Sequence, residues 1–149
     1  MAEKIAKGEV PDILFWVGCS GSFDDRAKKI TKALVKILNN CNVDFAVLGA
    51  EESCTGDPAK RAGNEFTFQM QAMMNIELLN SYDVKKIITC DPHAFNTFKN
   101  EYPEYDGNYE VKHHTQFLQQ LISEGKLKMD SDIFEHKTIT YHDPCYLGR

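Results

Sequence analysis

Five cysteines and five histidines are spread through 149 residues, and most of them stand in short loops directly after apolar runs. Cys19 follows Ile13–Val17, Cys54 follows Phe45–Leu48, and Cys90 and His93 follow Lys86–Thr89. His113 and His114 follow Tyr109–Lys112, and His142 and Cys145 follow Thr138–Tyr141. Only Cys41 and His136 fall elsewhere, and Cys41, at the expected end of a helix, reads as structural. Thiolates and imidazoles gathered from several loops are the donors that iron–sulfur clusters and zinc select, because both prefer soft or borderline S and N ligands in a closed shell. The plainer reading is that free cysteine packs as a small hydrophobe and loop histidine is an ordinary polar residue. A third reading makes Cys19 a nucleophile, its thiol pKa lowered at a helix N-terminus.

For these loops to meet, the runs before them must be parallel strands of one sheet. Each run is continuous and apolar, as strands buried on both faces are, and helical periodicity separates them. Between the first two, Ala27, Ile30, Ala33, Leu34, Ile37 and Leu38 recur at spacings of three and four, with Asp24 and Asp25 at the start and Asn39-Asn40 at the stop. A long helical stretch is expected from Ala59 to Leu79, with Met70 to Met74 as adaptable core filling. Pro92 opens a helix carrying Phe95 and Phe98, and Phe117, Leu118, Leu121 and Ile122 mark one that ends near Gly125.

Five strands alternating with four helices predict a single α/β domain: a doubly wound, mostly parallel five-stranded sheet with helices on both faces. Strand order is not legible from periodicity, and both Rossmann-like and flavodoxin-like orders fit. Ligands of such sheets bind beyond the carboxyl ends of the strands, where these Cys and His residues fall. The fifth strand has no covering helix after it, so the chain reads as the N-terminal part of something longer.

Bulk properties exclude other classes. A formal charge of −5 without a Lys/Arg-rich run speaks against nucleic acid and anionic membranes. No apolar stretch approaches the ~20 residues of a membrane span. The N-terminus lacks a secretory h-region, and an odd, dispersed cysteine count is unlike a disulfide scaffold, so a cytoplasmic location with reduced thiols or metal ligands is expected. No dinucleotide or NTP phosphate loop is present; Gly18–Ser22 offers at most backbone amides to an anion.

The segment from Glu52 to Phe66, ESCTGDPAKRAGNEF, resembles the signature loop of the cysteine-rich domain family, a C-C-G-D-P run followed by R-x-G-N-E. Pro92-His93, Phe95-Asn96-Thr97, Lys99–Pro103 and Tyr141–Arg149 extend the resemblance over nearly the whole chain. That family includes the cysteine-rich subunit of heterodisulfide reductase and the iron–sulfur subunits of lactate, glycolate and glycerol-3-phosphate oxidising systems, in which the domain usually occurs twice. The resemblance implies an oxidoreductase subunit engaged in electron transfer or thiol–disulfide chemistry, with a flavin- or iron–sulfur-containing partner subunit. It makes Cys19 the lone first cysteine, Cys54 the first of the pair, and Cys145 the opening of a second copy, as cofactor-binding residues.

The departures are specific: Thr55 stands at the second cysteine of the pair, and Asp91 and Ala94 stand at the C-x-x-C positions. Cys19 and Cys54 alone cannot hold a thiolate cluster, which leaves a set of Cys19, Cys54, Cys90 and His93 as a zinc-like alternative, or a degenerate docking scaffold without metal.

Overall fold

The computed structural model describes residues 1, 4, 11–129, 135–142 and 145–148. Asp143 and Pro144 of the C-terminal motif lie outside them. Four strands, β1 (Ile13–Trp16), β2 (Phe45–Ala46), β3 (Lys86–Thr89) and β4 (Glu110–His113), form one parallel sheet in the order β2-β1-β3-β4. After β1 come a short helix α1 (Gly18–Phe23) and α2 (Asp25–Asn40); after β2 come α3 (Asp57–Arg61) and α4 (Glu65–Ser81). After β3, α5 (Pro92–Asn96) runs on through a π turn, Thr97–Glu101, and a 3-10 turn, Tyr102–Tyr105; α6 (His114–Ser123) follows β4, and α7 (Cys145–Gly148) comes last.

Alternation along β1 explains the two layers. Leu14 and Trp16 point to one face and pack with Phe68, Ala72, Ile76 and Leu79 of α4 and with Ala94, Phe98 and Tyr102. Ile13 and Phe15 point to the other, against Leu34 and Leu38 of α2 and Phe117 and Leu121 of α6. The α/β, doubly wound reading therefore holds, with helices on both faces of a parallel sheet. From β1 the chain moves outward to β2, then returns past β1 to β3. The strand order thus reverses between β1 and β3, which is where such folds open a crevice.

Three local expectations are corrected. Thr138–Tyr141 is not a strand, so the sheet has four strands among the described residues; Ile139 and Tyr141 are 67% and 80% exposed, and a strand without a buried face has nothing to hold it in a ladder. The single helix expected from Ala59 to Leu79 is two helices. Gly63 takes φ +79°, and Asn64 caps α4 by accepting the Thr67 N–H at 3.1 Å. Met70, Met73 and Met74 are solvent-facing, because Phe68, Ala72, Ile76 and Leu79 set the phase of α4. No helix among the described residues is long and apolar enough to cross a membrane.

Candidate functional site

At the crevice, a cleft of about 440 Å³ is lined by Trp16, Gly18, Cys19, Ser20, Ser53, Cys54, Thr55, Asp57, Pro58, Asp91 and His93. The loops after β1, β2 and β3 therefore do converge. Trp16 is the floor, buried and edge-to-face on Phe98 at 4.8 Å. A second cleft of about 360 Å³, on the other side of α1, takes Cys90 and His114 and shares Ser20, Asp91 and His93 with the first.

The β2 loop is anchored from below. Asn75 of α4, 1% exposed, donates through Nδ2 to the Cys54 carbonyl at 2.9 Å and to the Tyr102 hydroxyl at 3.0 Å, and accepts the Ser53 hydroxyl at 2.8 Å. Tyr102 in turn donates to the Thr55 carbonyl at 3.1 Å. A buried amide with its hydrogen bonds satisfied fixes one loop geometry. Gly56 then turns the chain at φ +88°, and its N–H points at Cys54 Sγ, 3.4 Å away. A Cβ there would stand 2.8 Å from Phe68 Cδ2. Gly56→Ala is expected to cost about 2 kcal/mol, from left-handed strain and the clash, read as a lower midpoint in urea unfolding.

Asp57, 4% exposed, opens α3. His93 Nδ1–H donates to its Oδ2 at 2.9 Å, and Arg61 Nε lies 3.2 Å from its Oδ1. Arg61 also pairs with Glu101, which takes Asn96 Nδ2 at 3.2 Å and Lys60 at 3.7 Å. The tilted ring of Tyr146 stacks on His93, with centroids 4.1 Å apart, so α7 seats its exposed Cys145 beside this edge.

Cys19 and Cys54 are side by side. Burial raises the Cys19 thiol pKa, followed by Cys54 acting as charge and hydrogen-bonding neighbour, then Glu52 and Asp91. The nucleophile reading of Cys19 is corrected on this point: its thiol is held up, because α1 is six residues long and carboxylates surround it. Glu52 is raised mainly by burial, against the opposing pull of the Val17 and Gly18 amides. Cys90 is pushed up to about 11 by burial and then Asp91.

His113 and His114 are 3.1 Å apart through Nε2 and Nδ1, with His113 Nε2 3.3 Å from the Cys90 carbonyl. Burial lowers both, and His113 adds to the effect on His114, pushing it down to about 4 from 6.5. A histidine held neutral in the fold and free to charge when unfolded costs stability as pH falls, from about 6.5 to about 4. The loss is expected to be about 2 kcal/mol after allowing for partial exposure, and His114→Asn should flatten the acid limb of a stability-against-pH curve.

Of the residues proposed as metal ligands, Cys19, Cys54 and His93 line the first cleft, while Cys90 lines the second. Among the described residues no three His, Cys, Asp or Glu side chains are placed to hold a metal ion. A thiolate cluster takes four ligands and a structural zinc takes four, so neither group fits the donors as they stand. Glu52, Asp57, Asn75 and Trp16 were not distinguished by sequence reasoning as site residues. Glu52 and Asp57 flank Cys54 inside the signature loop, which was the available signal; Asn75 had none.

The family model of the cysteine-rich domain matches residues 13–99, the stretch from β1 to the π turn. The chain belongs to that family. It is 50% identical to the probable iron-sulfur-binding oxidoreductase FadF of Bacillus subtilis and 48% identical to the EtfAB:quinone oxidoreductase of Syntrophomonas wolfei, over 96% and 95% of this chain and 20% of each relative. One subunit of the dihydromethanophenazine:CoB--CoM heterodisulfide reductase of Methanosarcina barkeri is 36% identical over 93% of this chain and 34% of its own. The chain spans about a fifth of the length of the first two. No solved structure gives a significant match.

Proposed function

We propose that this cysteine-rich domain is the thiol-bearing part of an iron–sulfur-type oxidoreductase, taking part in electron transfer or thiol–disulfide redox chemistry at the crevice between β1 and β3. One observation carries the reading: two free cysteines from different loops, Cys19 and Cys54, are brought together in the cleft where a doubly wound sheet binds its ligand. Relatives named as oxidoreductases support the direction. Iron–sulfur clusters belong, in this reading, to other parts of a longer polypeptide that carries a second copy of the domain. Its partner is a flavin- or iron–sulfur-containing redox protein, and its compartment is the cytoplasm, where five unpaired cysteines stay reduced.

The test is electron cycling. The protein is reduced under argon with dithionite and re-oxidised by a soluble quinone analogue. The Cys19→Ser/Cys54→Ser protein is expected to lose at least about tenfold of the wild-type cycling rate. An unchanged rate in that protein, or a wild type that does not cycle, would overturn the reading.

A further inference from the structure

One side chain ties the β1 loop to the β2 loop. Glu52 Oε2 accepts the Val17 N–H at 2.9 Å and its Oε1 accepts the Gly18 N–H at 2.6 Å. Cys19 follows Gly18 directly, and Cys54 lies two residues beyond Glu52. Backbone amides after the first strand of an open α/β sheet are a frequent seat for a ligand's anionic group. Here the chain's own carboxylate occupies them, and Asp91 closes in from the far side, with Oδ2 3.1 Å from where a Cβ on Gly18 would stand. The crevice is thereby committed to its two sulfurs. Asn75 and Tyr102 hold the other end of the Cys54 loop. Both thiols are fixed from behind, and Cys19 is exposed while Cys54 is half-buried.

We propose that Cys19 and Cys54 form a reversible dithiol/disulfide couple that exchanges two electrons with a small-molecule disulfide or dithiol, with Glu52 as the positioning residue that keeps the sulfurs together. The proposal rests on the redox reading above. The Cys19 thiolate attacks one sulfur of a disulfide RSSR; that S–S bond breaks, and RS⁻ leaves and takes up a proton. The Cys54 thiolate then attacks the Cys19 sulfur of the mixed disulfide and expels the second RS⁻, which is also protonated. Two protein S–H bonds are lost and one S–S bond is formed, while RSSR is reduced by two electrons and two protons to two RSH. A small dithiol runs the steps backwards. Because burial, Cys54, Glu52 and Asp91 all hold the Cys19 thiol up, exchange is slow at neutral pH and accelerates in alkali.

Glu52 acts through geometry. Both of its oxygens accept, one from each amide, whereas glutamine has one acceptor and would turn an NH₂ group toward an N–H donor. Losing half of the tie releases the β1 loop and lowers the effective concentration of one thiol at the other.

The experiment treats the reduced full chain, under argon, with glutathione disulfide, then quenches with acid, alkylates, and maps peptides by mass. The wild type is expected to lose two hydrogen atoms, to show a Cys19–Cys54 cross-link, and to recover both thiols with dithiothreitol. Cys54→Ser should stop at the glutathione adduct on Cys19. Glu52→Gln, with its fold checked by circular dichroism, should form that adduct normally and close it at least about tenfold more slowly, a partition that a merely structural role would not move. A wild type that stops at the adduct, or closes onto Cys90 or Cys145, overturns the couple; closure of Glu52→Gln at the wild-type rate overturns the positioning role. A protein that cycles electrons without ever cross-linking loses this proposal and keeps the redox reading, and one that cross-links without cycling does the reverse.

Discussion

Trp16→Ala is expected to destabilise the domain by about 4 kcal/mol, the largest single effect in the molecule. Trp16 is 1% exposed at the end of β1, and its ring meets Phe98 edge-to-face at 4.8 Å, with Tyr102 on the far side of Phe98 at the same separation. Truncation removes the indole's transfer energy, breaks an aromatic pair worth about 1 kcal/mol by itself, and leaves a cavity that rigid neighbours on a parallel sheet cannot refill. For a chain of this size the thermal midpoint should fall by roughly 10 °C or more. Because the same ring floors the cleft, the surviving folded fraction should also alkylate faster at Cys54, measurable with a fluorescent maleimide at a temperature well below the transition. A midpoint within a few degrees of wild type would show that Trp16 is a wall of the cleft and no part of the core.

Asn75→Ala comes next, at about 3 kcal/mol. One buried amide serves the Cys54 carbonyl, the Tyr102 hydroxyl and the Ser53 hydroxyl, so its removal strands polar groups that water reaches poorly. The Cys54 carbonyl loses its Asn75 donor, and the Ser53–Thr55 loop keeps only the bond from Tyr102. Asn75→Asp should be worse than an isosteric change suggests, since it replaces the donor that Cys54 needs with a second acceptor and brings a charge into a site 1% exposed. Urea unfolding measures the energy, and amide hydrogen exchange across residues 53–56 shows whether the loop loosens before the whole domain does. Equal protection in mutant and wild type would mean that the loop is held by something other than Asn75.

The sequence was informative where a signal is local. Ile13–Trp16 and Lys86–Thr89 read as strands because both sides of each are buried, and Asp24 read as a helix start because its side chain takes the Arg26 and Ala27 amides. The convergence of Cys19, Cys54 and His93 was also legible, since parallel topology alone places successive βα loops at one edge. The rest depends on contacts between segments far apart in the chain. Thr138–Tyr141 has strand composition, yet no face of it is covered. In α4 apolar residues surround the helix, so composition could not say that Ala72 faces inward and Met73 outward. Nothing near Asn75 in the chain announces that its partners are Ser53, Cys54 and Tyr102. Cys90 follows its strand as the pattern required, but α1 divides the edge into two clefts and Cys90 lies in the second.

Cys19 and Cys54 as a bare thiol pair at the redox edge of the domain are the centre of the proposed function. The most direct measurement is iron, zinc and acid-labile sulfide per chain in protein purified without oxygen, paired with the alkylation of each cysteine resolved by mass. Metal far below one equivalent is expected, with Cys19 alkylated first, Cys54 more slowly, and buried Cys41 only on unfolding. Stoichiometric iron or zinc, with Cys19 and Cys54 both protected until a chelator strips the metal, would contradict a bare pair.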